Sequence, residues 1–149
     1  MKIAIGSDHR GFQLKSKLVA KLREAGHDVV DVGTNCDESV DYTDFGSAVS
    51  DMVSKQEAER GILICGTGIG MSITANKFRG VRATTCSDEL TAEICRRHND
   101  VNVLCLSGDM LGERPIDGMI NKWLTTEFDG GRHARRLTKI SEIESGNCS

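Results

Sequence analysis

The chain has 149 residues and a net charge of −3 at neutral pH. This length fits one domain with a real core, which we expect to span residues 1–149, and the charge gives no general affinity for nucleic acid. No apolar run approaches the roughly eighteen residues of a membrane span, and the stretch before Asp8 is too short for a signal peptide.

Five short apolar segments predict strands, and a helical pattern follows each of them. The predicted strands cover residues 2–6, 27–32, 61–65, 81–86 and 101–106. The predicted helices cover residues 12–25, 41–55, 69–78 and 88–97, with one helix beginning near Pro115 and a last one following Gly130-Gly131. Gly26 and Asp88 are expected to cap the first and fourth helices.

This alternation predicts an α/β fold: a three-layer α/β/α sandwich with a five-stranded, parallel, Rossmann-like sheet. In such sheets a ligand binds beyond the carboxyl ends of the strands. The rule selects three segments as candidates for the site, which are residues 7–9, 65–70 and 86–88.

A glycine-rich loop with a thiol at its rim follows the third predicted strand, in the sequence Cys65-Gly66-Thr67-Gly68-Ile69-Gly70. Met71 stands where a dinucleotide fingerprint needs glycine and where a tyrosine-phosphatase loop needs arginine. The loop is therefore interpreted as a general anion cradle. A cysteine at a helix start has a stabilised thiolate, so we expect Cys65 to act as a nucleophile or a base.

The other cysteines are expected to be reduced, buried fillers in a cytoplasmic protein, because none stands in C-x-x-C spacing and several lie in apolar runs. They are Cys36, Cys86, Cys95, Cys105 and Cys148.

Several further residues are candidates for ligand binding. Asp8 and His9 follow the first strand. At that place we expect Asp8 to contact a hydroxyl and His9 an anion, and the alternative is a turn with a solvated histidine. His98 and Asn99 end the fourth helix, which topology places at the opposite edge of the sheet. Arg132 and Arg136 lie four residues apart near a helix start, where cations are disfavoured unless an anion such as a phosphate ester compensates; the alternative is an exposed basic face.

Together these residues resemble the type-B ribose-5-phosphate isomerases, a family that also includes galactose-6-phosphate isomerase subunits. The resemblance spans nearly the full chain. It is carried by GSDHRGF (6–12), DYTDF (41–45), ICGTGIGMSITANK (64–77), RRHNDVNVL (96–104) and FDGGRHARR (128–136).

The resemblance implies an aldose–ketose isomerase that uses neither a metal nor an organic cofactor. It implies that Cys65 is the base, that Thr67 and His98 open the sugar ring, and that the loop holds the enediolate. The loop positions so assigned are Gly66, Gly68, Ile69 and Gly70, the hydroxyl ligands are Asp8, Tyr42 and Asn99, and the phosphate ligands are His9, Arg132 and Arg136.

The resemblance further implies a homodimer whose sites are shared between chains, with a dimer of dimers left open. One position departs from the family pattern, because Asp109 stands where relatives carry a phosphate-binding arginine. Either phosphate binding rests on His9, Arg132 and Arg136, or the substrate differs from ribose 5-phosphate. A six-carbon sugar phosphate such as allose or galactose 6-phosphate, and a non-catalytic sugar-phosphate-binding module, are therefore the alternatives.

Overall fold

The computed structural model describes residues 1–146. Its strands are β1 (Lys2–Ser7), β2 (Asp28–Asp31), β3 (Arg60–Cys65), β4 (Ala83–Thr85) and β5 (Val103–Ser107). Its helices are α1 (Phe12–Glu24), α2 (Tyr42–Ser54), α3 (Ile69–Ala75), α4 (Glu89–Asn99), α5 (Glu113–Thr125) and α6 (Arg132–Glu144).

The strands form one parallel sheet in the order β2-β1-β3-β5-β4. Alternate residues of the central strands face two separate apolar clusters. Helices α1, α4 and α5 cover one of these clusters, and α2 and α3 cover the other. The predicted α/β fold with a five-stranded parallel sheet is confirmed.

The last helix is loosely attached, because α6 contacts the rest of the described chain mainly through α4. Its apolar side chains Ile140 and Ile143 are exposed, at 49% and 64%. They border a cavity of about 600 Å³ between α6 and the end of the sheet. The helix therefore presents an apolar face that residues 1–146 do not bury.

Two predicted elements are shorter than expected around residue 80. Helix α3 ends at Ala75, three residues early, and β4 begins at Ala83. The amide side chain of Asn76 explains both limits, because it donates to the carbonyl of Ala83 and accepts from the N–H of the same residue. These bonds hold the intervening segment as a turn.

The predicted caps are confirmed. The Asp88 carboxylate accepts the N–H of Thr91 at the start of α4, 2.7 Å away, and Gly26 follows α1 with a φ of +90°.

The cysteine prediction is confirmed for Cys86, Cys95 and Cys105, which are buried and free. It is wrong for Cys36, which is exposed because the segment between β2 and α2 runs over the surface. Cys148 lies outside the described residues.

Candidate active site

The direction in which consecutive strands are added to the sheet reverses between β1 and β3, and a crevice lies at this point. The two strands are neighbours, with Ser7 opposite Ile64. The connection after β1 leads to α1 on one face of the sheet, and the connection after β3 leads to α3 on the other. Such a divergence opens a ligand-binding crevice at the carboxyl ends of the strands, and it brings Asp8, His9 and Cys65 to one edge.

The Cys65 thiol is held by the glycine loop. Cys65 ends β3 with only 5% of its surface exposed, and the backbone N–H of Gly68 donates to its Sγ at 3.1 Å. Gly68 adopts a φ of +80°, a left-handed conformation that side chains other than glycine rarely take. This turn aims an N–H at the sulfur and fixes the sulfur's position at the end of β3.

The next part of the loop presents a hydroxyl at the surface. Thr67 is exposed, and its Oγ1 accepts the N–H of Ile69 at 3.2 Å. The loop is braced from β5, because the N–H of Gly108 donates to the Cys65 carbonyl at 2.8 Å and the Ser107 hydroxyl donates to the Gly66 carbonyl at 2.6 Å. The loop is thus fixed before any ligand arrives.

A second thiol lies near Cys65 but in a different environment. Cys105 is fully buried in the middle of β5. Burial, with a smaller contribution from Cys65, raises the pKa of the Cys105 thiol. Cys105 therefore stays protonated and unreactive, whereas Cys65 lies at the mouth of the crevice.

Asp8 and His9 occupy the same edge as the loop. The buried Asp8 carboxylate accepts the backbone N–H groups of Arg10 and Gly11 through Oδ1, at 2.9 and 3.2 Å. His9 accepts the N–H of Val40 through Nδ1 at 3.2 Å. With Nδ1 as an acceptor, the Nε2 of a neutral His9 carries the proton and can donate to an anion.

Tyr42, the first residue of α2, packs directly on the loop. A Cβ at Gly70 would lie 2.6 Å from Cε2 and Cζ of the Tyr42 ring and 3.0 Å from its hydroxyl oxygen. Only glycine permits this approach. The Tyr42 hydroxyl is therefore set beside the backbone of the loop, and the ring is 40% exposed.

Sequence reasoning missed one residue at this edge. The Nε of Arg10 lies 2.5 Å from Oδ2 of Asp109, so the Asp109 carboxylate is paired with a cation. The signal for Arg10 was its position directly after His9 in GSDHRGF.

The remaining predicted residues form a second cluster, around the end of α4 and the start of α6. The rings of His98 and His133 stack with centroids 4.2 Å apart and planes 9° from parallel. Arg97 is paired with Asp129 at 3.2 Å. Burial, then the charges of His98, Arg132 and Arg136, lower the pKa of His133.

Cations in this cluster are left without partners. Arg132 and Arg136 are exposed, and within residues 1–146 their side chains bond to no protein group. Asn99 is also exposed at the end of α4. This surface is suited to an anion.

His98, Asp129 and His133 are the described residues that could together approach a metal ion, since one ligand atom from each lies within 4.8 Å of the others. However, Asp129 already pairs with Arg97. The neighbouring arginines oppose a further cation, so this cluster does not fit a metal site.

This second cluster and the Cys65 loop lie at opposite ends of the parallel strands. His98 precedes β5, whose first residue Val103 pairs with Gly61 at the start of β3, whereas Cys65 pairs with Ser107 at the far end. Four residues of strand separate these levels by about 13 Å. The topological objection to His98 is therefore confirmed within one chain.

Among residues 1–146, none of the helices has the length and apolar character that a membrane span requires.

The family model described as "Ribose/Galactose Isomerase" matches residues 3–140. Among curated proteins, ribose-5-phosphate isomerase B of Escherichia coli is 46% identical over 143 residues, covering 96% of each chain.

Solved structures agree with this similarity. Ribose-5-phosphate isomerase B of Clostridium thermocellum has a TM-score of 0.97 at 47% identity, covering 99% of this chain and 100% of that one. The Mycoplasma genitalium ribose-5-phosphate isomerase B, solved with bound ribulose-5-phosphate, has a TM-score of 0.94 at 41% identity, with 97% and 96% covered.

Proposed function

The chain belongs to the ribose/galactose isomerase family, and on that premise we propose that it interconverts ribose 5-phosphate and ribulose 5-phosphate. The observation that carries the proposal is the Cys65 thiol, held by the Gly68 N–H at the crevice where the chain changes direction. A binding module has no need of a thiol at that place.

In the proposed mechanism, Cys65 is the base. Its thiolate removes the proton from C2 of the open-chain aldose, the C2–H electron pair forms the C1–C2 double bond, and the π pair of the C1 carbonyl moves onto O1 to give a cis-enediolate. A proton passes from O2 to O1, the carbonyl re-forms at C2, and the electron pair of the C1–C2 double bond takes the proton back from Cys65 at C1 to give the ketose. A well-placed general base contributes about 10²–10⁴-fold to such a reaction.

The loop stabilises the negative charge that develops on the substrate oxygens. We assign this role to the backbone N–H groups of Gly66, Gly68, Ile69 and Gly70. The Gly68 N–H is then shared between the Cys65 sulfur and the substrate, and the Ile69 N–H turns from Thr67 Oγ1 to the substrate. The hydrogen bonds from β5 hold the loop backbone in place during the reaction. Losing one such donor costs about 3–4 kcal/mol in known cases.

The other residues open the ring and hold the substrate. We assign ring opening to Thr67 and His98, and the contacts to sugar hydroxyls to Asp8, Tyr42 and Asn99. We assign the phosphate to His9, Arg132 and Arg136, which supply donors matched to its oxygens.

These assignments require a second copy of the chain. His98, Asn99 and the two arginines lie at the edge opposite Cys65, so the two clusters of one chain do not form one site. A two-fold homodimer forms two such sites, and each joins the Cys65 of one chain to the cluster of its neighbour that contains His98, Asn99, Arg132 and Arg136 (the His98 cluster). The exposed apolar face of α6 supports such an interface, and a dimer of dimers is compatible with it.

The free thiols of the described residues favour a reducing compartment. We therefore place the enzyme in the cytoplasm, in pentose phosphate metabolism.

Exchange of solvent hydrogen tests the proposed reaction. The protein is incubated in D₂O with ribose 5-phosphate, allose 6-phosphate or galactose 6-phosphate, and NMR records deuterium at C1 and C2. Deuterium in the pentose phosphate, absent with Cys65→Ala, supports the proposal. Exchange in a six-carbon phosphate alone assigns the substrate to the alternative, and no exchange in any of them favours a binding module.

A further inference from the structure

We propose that Arg10 binds the phosphate group of the substrate and that Asp109 positions its guanidinium. The inference rests on the proposed function, and it adds a residue and a positioning partner to the phosphate site. It explains what an acidic residue does at position 109.

The Arg10 side chain lies across the glycine loop. A Cβ at Gly66 would meet Asp109 Oδ2 at 3.0 Å and Arg10 Cδ and Nε at 3.3 Å. The ion pair therefore sits on the residue that follows Cys65, and the N–H of Asp109 is tied to the Gly66 carbonyl at 3.3 Å. When C1 and C2 of the substrate lie at Cys65, the rest of the sugar phosphate therefore lies beside the Arg10–Asp109 pair.

The pairing leaves most of the guanidinium free. Asp109 takes only the Nε–H, and no group within residues 1–146 bonds to the two terminal nitrogens of Arg10. Those nitrogens carry four of the five N–H donors of the group, in the planar arrangement that matches phosphate oxygens. The side chain is 57% exposed, so a ligand can reach it.

Arg10 and His9 line the same cavity, which measures about 270 Å³. His9 uses Nδ1 to accept the N–H of Val40, which leaves Nε2–H for an anion. The cavity contains one other cation, Lys17, but its ammonium is bonded to Glu113. Arg10 is thus the cation of this cavity whose donors remain available.

The competing interpretation is an ordinary surface ion pair, which contributes little to either stability or binding. Under that interpretation the contact of Asp109 with Arg10 has no bearing on phosphate. The two interpretations differ in how inorganic phosphate binds when each partner is replaced.

Calorimetry with inorganic phosphate and the full chain tests the proposal without turnover. We expect Arg10→Ala to weaken phosphate binding roughly 10–100-fold, as for the loss of a charge-assisted hydrogen bond, and Arg10→Lys to weaken it less. Lys21→Ala is the matched control, because Lys21 pairs with Asp117 at 2.6 Å with similar exposure on α1. Unchanged binding in folded Arg10→Ala would overturn the proposal.

The role of Asp109 has a distinctive signature. In the parent chain, Asp109→Asn releases the guanidinium and is expected to weaken phosphate binding. In Arg10→Ala, the same change removes an unpaired carboxylate beside the phosphate and is expected to strengthen binding. An effect of the same sign in both backgrounds would overturn the positioning role.

Kinetics with ribose 5-phosphate then separate this inference from the proposed function. We expect Arg10→Ala to raise KM about tenfold or more while kcat changes less than about threefold, since the phosphate contact persists throughout the reaction. An active parent enzyme with an unchanged KM in Arg10→Ala overturns the Arg10 assignment alone. An inactive parent chain whose phosphate affinity still depends on Arg10 overturns the proposed reaction alone.

Discussion

The backbone N–H of Gly68 donates a hydrogen bond to the sulfur of Cys65 at 3.1 Å. It does so because Gly68 takes a φ of +80°, which turns its amide back toward the end of β3. The same turn brings Gly68 close to β5. A Cβ added at Gly68 would lie 3.2 Å from the backbone carbonyl of Leu106. Under the proposed mechanism, the position of the catalytic sulfur therefore depends on the backbone conformation of a glycine.

Gly68→Ala is expected to lower kcat by at least tenfold, because the strained residue moves its N–H away from the sulfur. The strain itself costs about 1–2 kcal/mol in the free energy of unfolding. Gly26→Ala is the matched control, since Gly26 has a φ of +90° with no atom near its would-be Cβ. Both variants are measured by steady-state kinetics and by urea unfolding. If Gly68→Ala and Gly26→Ala lose equal free energy of unfolding and Gly68→Ala keeps the parent kcat, the role of the Gly68 N–H is contradicted.

Cys65→Ala is expected to reduce kcat by 10²-fold or more, while ribulose 5-phosphate still binds within about threefold of the parent affinity. The thiolate acts on a C–H bond and adds little affinity to the ground state. Turnover and calorimetric binding are measured on the same preparations. Activity within tenfold of the parent would remove Cys65 as the base.

Gly70→Ala is expected to destabilise the protein by displacing the Tyr42 ring, which lies 2.6 Å from the added Cβ. The cost is of the order of 1–3 kcal/mol, as for other overpacked sites. A Tyr42→Ala background removes the three atoms nearest to the added Cβ, so the cost of the same substitution should nearly vanish. Urea unfolding of the four chains checks the coupling, and an equal cost in both backgrounds would mean that the ring does not limit position 70.

Acidification is expected to weaken the packing of α6 through His133. Burial and the neighbouring positive charges lower the pKa of His133. The folded chain therefore binds fewer protons than the unfolded chain, whose histidines have a pKa of about 6.5. The free energy of unfolding therefore falls as pH drops through that window toward the folded pKa. His133→Asn should show a shallower fall in urea unfolding between neutral and mildly acidic pH, and parallel curves would contradict the account.

The sequence predicted the elements that apolar periodicity and caps determine locally. Asp88 at the start of α4 and Cys65 at the end of β3 stand where the pattern placed them. The early end of α3 was missed because Asn76 bonds to Ala83, a contact that periodicity does not record. Cys36 was misjudged because its surroundings lack the apolar packing that its residue type suggests.

The same limit applies to the site. Position at a strand end identified Asp8, His9 and the loop from topology alone. The pairing of Arg10 with Asp109 and the stacking of His98 on His133 depend on side-chain geometry between distant segments. Neither contact could be predicted from sequence spacing, and each bears on the roles proposed for phosphate binding and ring opening.

In the proposed dimer, each site combines the Cys65 loop of one chain with the His98 cluster of the other, and this arrangement can be tested by mixing chains. Cys65→Ala chains and chains carrying both His98→Ala and Arg136→Ala are unfolded, combined in equal amounts and refolded, and isomerisation of ribose 5-phosphate is measured. Each variant refolded alone should be inactive. Shared sites predict recovery of about a quarter of parent activity, because half of the dimers are mixed and each mixed dimer holds one intact site. If each site belonged to a single chain, every site in the mixture would stay defective, and no activity would return.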